Sequence, residues 1–129
     1  YTENLSKFIN ESREKGAIPV LFTSIVRRKF GENGKLNDTH GDYPVATRKV
    51  ADLLDVPLID LQKITEEWVN SLGDEASKQM YLWTDITNER HPEPRKDDTH
   101  LSQKGAHKVA QLATEALKEN IPELATNLK

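Results

Sequence analysis

Only two segments of this 129-residue chain, residues 17–24 and 56–61, read as short apolar runs of the kind buried on both faces of a parallel sheet. Between and around them the apolar residues recur at helical spacing. Short apolar strands alternating with amphipathic helices argue for an α/β layer with a parallel sheet. Two parallel strands alone leave both edges and much of each face uncovered, which is not a stable arrangement. The segmentation therefore predicts an α/β fold, and only part of one.

Leu5, Phe8 and Ile9 form an apolar stripe that predicts a helix over 2–15, with Thr2 as N-cap and Gly16 at the position after its C-cap. Pro19 is tolerated at the start of the first strand or on an edge. Residues 25–43 are polar, and Asn33-Gly34 within them is a strong hairpin signal that predicts a small β-ribbon. Pro44 suits the first turn of a second helix, with Ala46, Val50, Leu53 and Leu54 on one face. Ile64, Trp68 and Leu72 predict a third helix ending near Gly73. Residues 82–99 lack periodicity and contain Pro92 and Pro94, so a long loop is expected there. Ser102 caps a final helix over 103–118, whose buried face would be Ala106, Val109, Ala110, Ala113 and Leu117.

Apolar residues at 36% and charged residues at 30% are the balance of a folded chain of single-domain size. A net charge of −3 gives no general attraction to nucleic acid or to an anionic membrane, and neither is expected as a partner. The absence of cysteine excludes disulfides and thiolate metal sites. No apolar run approaches the length of a membrane span. The chain opens at Tyr1 and its one methionine is Met80, so a start downstream of any initiator is expected.

The residues with the most chemistry are Asp97-Asp98-Thr99-His100-Leu101-Ser102, directly before the last helix. A carboxylate three residues before a histidine can bond Nδ1–H, fix the tautomer and leave Nε2 free as a general base. The following helix N-terminus disfavours an imidazolium, and the adjacent carboxylate offsets this. The spacing alone is more often the mark of a solvated loop histidine, with Asp98 or Ser102 as a helix cap. His40, His91, His100 and His107 lack a recognised metal-ligand spacing, so no metal is expected. Trp68 lies on the apolar stripe with Ile64 and Leu72. Trp83 is left free to line a cleft or to stack on a sugar, as in a non-catalytic carbohydrate-binding or partner module.

Asp97-x-x-His100 followed by Leu101-Ser102-x-x-Gly105-Ala106-x-x-Val109-Ala110 resembles the terminal block of SGNH/GDSL hydrolases. The upstream stretch is similar to the rhamnogalacturonan acetylesterase branch of that superfamily. The similar pieces are Pro19-Val20-Leu21-Phe22-Thr23, Arg27-Arg28-Lys29-Phe30, Thr39-His40-Gly41-Asp42-Tyr43-Pro44 and Val56-Pro57-Leu58-Ile59-Asp60-Leu61, so that the resemblance spans residues 2–118. It implies a flavodoxin-like three-layer α/β/α hydrolase with a parallel sheet. Residues 1–129 would be the C-terminal portion of that single domain, its N-terminal half missing. It also implies a Ser-His-Asp triad in which Asp97 orients His100, an acetylated pectic polysaccharide or oligosaccharide as substrate, and a secreted or periplasmic location. No cofactor is implied, since side chains and water suffice. Such a substrate carries uronate carboxylates, which Arg27 or Arg28 would pair with. His40 and Trp83 are further candidates for substrate binding.

The family's nucleophile sits in a Gly-Asp-Ser block, and a glycine and an asparagine from two later blocks complete its oxyanion hole. None of the serines at 6, 12, 24, 71, 77 and 102 stands in such a block, and Gly41-Asp42 and Gly73-Asp74 are followed by Tyr43 and Glu75. Without those groups the largest transition-state term has no source. The chain alone is expected to be inactive, and to need the upstream half of the same gene product, or a second copy, to complete the fold.

Overall fold

The computed structural model describes residues 1–126. The two apolar runs do pair in parallel, as β1 (Leu21–Phe22) and β2 (Leu58–Ile59). Leu21 donates its N–H to the Pro57 carbonyl at 2.9 Å and Thr23 donates to Ile59 at 3.2 Å. Among the described residues β1 is paired on its β2 side only, and regular pairing stops after two residues. Alternation sends Leu21 and Leu58 to one face and Phe22 and Ile59 to the other. The second face is covered over β2, where Ile59 is fully buried, and open over β1, where Phe22 is 44% exposed.

Helix α1 (Thr2–Glu14) and helix α2 (Asp42–Leu54) cover the first face. Ile9, Val50, Ala51 and Val56 join Leu21 in one apolar cluster, with Leu5, Leu54 and Leu58 against it. Gly16 has the positive φ, 76°, expected just after a helix end. Thr2 is the first helical residue rather than the cap: Tyr1 stands at that position without a capping bond. The Tyr1 hydroxyl instead donates to Thr47 Oγ1 at 2.8 Å, and Thr47 donates to the Tyr43 carbonyl at 3.0 Å. With its hydroxyl satisfied, Thr47 packs like an apolar residue, and the buried face of α2 turns to Pro44, Thr47, Val50 and Ala51. Leu53, expected inside, lies in solvent.

The junction between β2 and α3 (Leu61–Ser77) is built on Asp60. Its Oδ1 accepts from Thr23 Oγ1 at 2.8 Å and from the Lys63 N–H at 3.3 Å, capping the helix. Arg48 donates from Nε to Oδ2 at 2.8 Å and from Nη2 to Oδ1 at 3.0 Å. Burial alone would raise the Asp60 pKa, but the bonds from Arg48, Thr23 and Lys63 outweigh it and hold the carboxyl below its ordinary value. Helical geometry in α3 breaks at Gly73 (φ 75°, ψ 174°), where the third helix was expected to end. A last turn and a 3₁₀ segment, Lys78–Met80, follow. Trp68 and Leu72 pack on a second apolar cluster of Val26, Val69, Met80 and Tyr81. The Asn33-Gly34 ribbon is present in minimal form, as one antiparallel bridge from Phe30 to Leu36.

Residues 82–99 are not a loop throughout. β3 (Tyr81–Thr84) and β4 (Arg95–Leu101) pair antiparallel, with only the tip between them irregular. The polar β4 sequence, Arg-Lys-Asp-Asp-Thr-His-Leu, has no apolar alternation, because its inward groups are held by hydrogen bonds rather than by burial.

Ser102 caps α4 (Gln103–Asn120) as expected, accepting the Gly105 N–H at 3.1 Å. The buried face is turned from the expected one. Gly105 and Ala116 are buried, Val109, Ala113 and Leu117 are half-buried, and Ala106 and Ala110 are exposed. The reason is a close approach at the helix start, where the Ser102 N–H donates to the Met80 carbonyl at 3.0 Å. A Cβ placed on Gly105 would stand 1.9 Å from that carbonyl oxygen. A short helix, α5 (Pro122–Ala125), ends the described chain. Gly105→Ala is expected to destabilise the fold by about 3 kcal/mol or more, beyond a usual overpacking cost because the clash is with backbone. An unchanged midpoint of chemical denaturation would rule out this seating of α4.

Candidate active site

β3 and β4 lose register between Tyr81 and Leu82: Tyr81 faces Leu101 while Leu82 already faces Asp97. Asp98, Thr99 and His100 therefore bulge from the ladder, a device that re-aims side chains. Asp97 closes the bulge. Its Oδ1 accepts the N–H of Thr99 at 2.8 Å and of His100 at 3.0 Å. Its Oδ2 lies 2.7 Å from Nδ1 of the His100 ring. The backbone bonds from His100 and Thr99, with help from the ring, hold the Asp97 carboxyl down to about 2. The group is thus ionised at neutral pH and can only accept, so Nδ1 carries the hydrogen and Nε2 of neutral His100 is free. The His100 side chain is 75% exposed, open to an incoming proton donor.

No family model matches the chain. Two proteins of Bacillus subtilis (strain 168) do. Rhamnogalacturonan acetylesterase RhgT is 42% identical over 120 residues, covering 92% of this chain and 52% of RhgT. The probable rhamnogalacturonan acetylesterase YesY is 31% identical over 119 residues, covering 92% of this chain and 51% of YesY. This chain is a homologue of rhamnogalacturonan acetylesterases. It spans about half the length of these relatives. The crystal structure of the Bacillus subtilis protein YxiM matches with a TM-score of 0.73 at 24% identity, over 92% of this chain and 30% of YxiM. This chain therefore has part of the architecture of that structure.

Of the other candidate residues in this acetylesterase homologue, two gather behind the dyad. Arg28 is 5% exposed, and its Nε donates to Asp98 Oδ1 at 2.7 Å. Its Nη1 donates to the Asp74 carboxylate and, at 3.1 Å, to the Asp74 carbonyl. The Trp83 indole donates to Asp98 Oδ1 at 2.8 Å. Arg28 and Lys78 both lie over the Trp83 ring, 4.6 and 4.7 Å from its centre. Removing one partner of such a buried pair costs about 3–5 kcal/mol, against about 0–1 kcal/mol for an exposed ion pair. Arg28 is therefore held within the protein, and of the two arginines Arg27 is the exposed one.

His40 sits elsewhere, in the turn before α2, its N–H donating to Asp38 Oδ1 at 2.8 Å. It lines a small cavity with Val26, Leu36, Asp38, Gln62 and Glu66. Among the described residues neither Arg27 nor His40 hydrogen-bonds to Asp97 or His100, no serine hydroxyl bonds His100, and no three His, Asp or Glu side chains could hold a metal ion. Asp98 was expected only as an alternative helix cap, Gly105 only as part of the family's terminal block and Asp74 only as half of a Gly-Asp pair; Ser102 is the cap, and Asp98 is bonded to Arg28 instead. Each of the three acts through a contact distant along the chain, and no local pattern marks that contact.

A carboxyl whose folded pKa is depressed contributes stability above its unfolded value of 3.8, and loses it as pH falls through about 2. The bulge should stay closed through mild acid and open only near that lower value. Titrating the amide resonances of Thr99 and His100 is expected to give a midpoint near 2. A midpoint at an ordinary aspartate's value would mean that Asp97 does not accept these bonds.

Proposed function

We propose that this chain supplies the histidine and aspartate of a Ser-His-Asp triad in a carbohydrate esterase that removes acetyl groups from pectic polysaccharide. The observation that supports it is the 2.7 Å contact from His100 Nδ1 to Asp97 Oδ2, in a homologue of rhamnogalacturonan acetylesterases. A serine and its oxyanion donors would come from the upstream half of the same gene product or from a second copy, residues 1–129 being the C-terminal portion of one SGNH domain.

In that reaction the serine Oγ attacks the acetyl carbonyl while His100 Nε2 takes its proton. Collapse of the tetrahedral oxyanion breaks the bond to the sugar oxygen, and His100 returns the proton to that oxygen. Water then attacks the acetyl-serine, with Nε2 again as base, releasing acetate and free serine. Asp97 holds the ring in the Nδ1–H tautomer through both steps and stabilises the transient imidazolium. Arg27, exposed near Arg28, is the arginine able to meet a uronate carboxylate.

Alone, without nucleophile and oxyanion donors, the chain should release no acetate. The carbohydrate-module alternative would need an aromatic face for sugar, and Trp83 has two cations over its ring instead. In the complete protein His100→Ala should lower turnover by about 10³-fold or more, with folding intact. Asp97→Asn should cost less, since Asn keeps one acceptor for the backbone N–H groups while losing the charge. Acetate release from acetylated rhamnogalacturonan measures both, and an undiminished His100→Ala rate sinks the assignment. Native mass spectrometry of the purified chain is expected to show a second polypeptide bearing a Gly-Asp-Ser segment, or a second copy of the chain. A lone monomer would refute completion by either.

A further inference from the structure

Adjacent aspartates on a strand make its register ambiguous. A slip of one residue turns every side chain to the opposite face. In β4 such a slip would turn Asp97 to the face where Arg28 now holds Asp98, and so take it away from His100. Within the strand only Leu101, at its far end beyond the bulge, is apolar and packed on the second cluster, so the register at 97–98 needs an anchor of its own.

Arg28 tells the two carboxylates apart. Its side chain takes Asp98 Oδ1 at 2.7 Å and its backbone N–H takes the Asp98 carbonyl at 2.8 Å. The Trp83 indole N–H reaches the same Oδ1 at 2.8 Å, and Lys29 stands 3.6 Å from Oδ2. The Asp98 side chain is only 17% exposed, so these groups replace nearly all of its water. Both the main chain and the side chain of Asp98 are thereby tied to one buried arginine, at the first residue of the bulge. The peptide joining Asp98 to Thr99 then has one orientation, which aims the Thr99 N–H, with that of His100 beside it, at Asp97 Oδ1.

We propose that Arg28, Asp98 and Trp83 are positioning residues that fix which aspartate partners His100. None of them hydrogen-bonds to the His100 ring, so they act on it only through the register of β4. The kinetic consequence rests on the esterase reading above; the geometric one does not.

The test therefore has two readouts. The first is the imidazole ¹⁵N spectrum of His100 in this chain, with the ring neutral, for wild type, Asp98→Asn, Arg28→Lys and Trp83→Phe. The wild type should show a single hydrogen-bonded Nδ1–H form. Asp98→Asn and Arg28→Lys should show mixed tautomers or a lost Nδ1–H resonance, while amide signals of α1 and α2 stay in place. Trp83→Phe, which keeps a ring and deletes one N–H, should show a smaller change, and it carries the test if the other two fail to fold. An unaltered His100 spectrum in the folded variants overturns the proposal. The second readout is kinetic, in the complete esterase, where kcat should fall about 100-fold with KM unchanged, as for a misplaced catalytic group. A complete wild-type protein that releases no acetate would overturn the esterase reading, with the imidazole spectra still deciding the positioning role.

Discussion

The position of His100 depends on a contact that involves neither His100 nor Asp97, the approach of the α4 backbone to the Met80 carbonyl. The Ser102 N–H bonds that oxygen at 3.0 Å, the Ser102 hydroxyl bonds the neighbouring Gln79 carbonyl at 2.8 Å, and Gly105 has no side chain to hold them apart. The end of β4 and the start of α4 are thus clamped to the start of β3. Seven residues of polar strand must then span a fixed distance, and the excess length leaves the ladder as the bulge at 98–100. The dyad sits on that bulge. A helix cap, a glycine and a strand pairing together set where an imidazole points.

Legibility in the sequence followed the range of each interaction. The parallel strands were readable as continuous apolar runs, although only β2 is covered on both faces and Phe22 of β1 is 44% exposed. The dyad was readable because its carboxylate and imidazole lie three residues apart and need no distant partner. The capping role of Ser102 and the break at Gly73 were equally local. β3 and β4 were not readable, because Asp98 earns its place from Arg28, seventy residues earlier, and not from burial. The buried faces of α2 and α4 were misjudged for a related reason. Thr47 and Gly105 count as poor core residues by hydropathy, yet one is satisfied by Tyr1 and Tyr43 and the other is required by a backbone contact.

The two charged centres do different work. At Asp60 a partly buried carboxylate is shared by a helix start, Thr23 and Arg48, which ties α2 and α3 to the ends of both parallel strands. At Asp98 the carboxylate joins the residues after β1 to β4. The dyad is thus tied to the residues after β1 by an ion pair as well as by the apolar cluster that Val26 shares with Met80, Tyr81 and Leu101.

The open side of β1 has a consequence for how such a chain behaves during synthesis. A strand edge that no other strand pairs with among the described residues, beside a half-exposed Phe22, is a template for any extended segment that meets it. Whatever occupies that edge competes with self-association, and the contest is set by effective concentration. A segment tethered to the same polypeptide would win at any dilution, whereas a separate copy would win only when crowded. The shortness of β1, two residues in regular pairing, works in favour of solubility by giving a wrong partner little to hold.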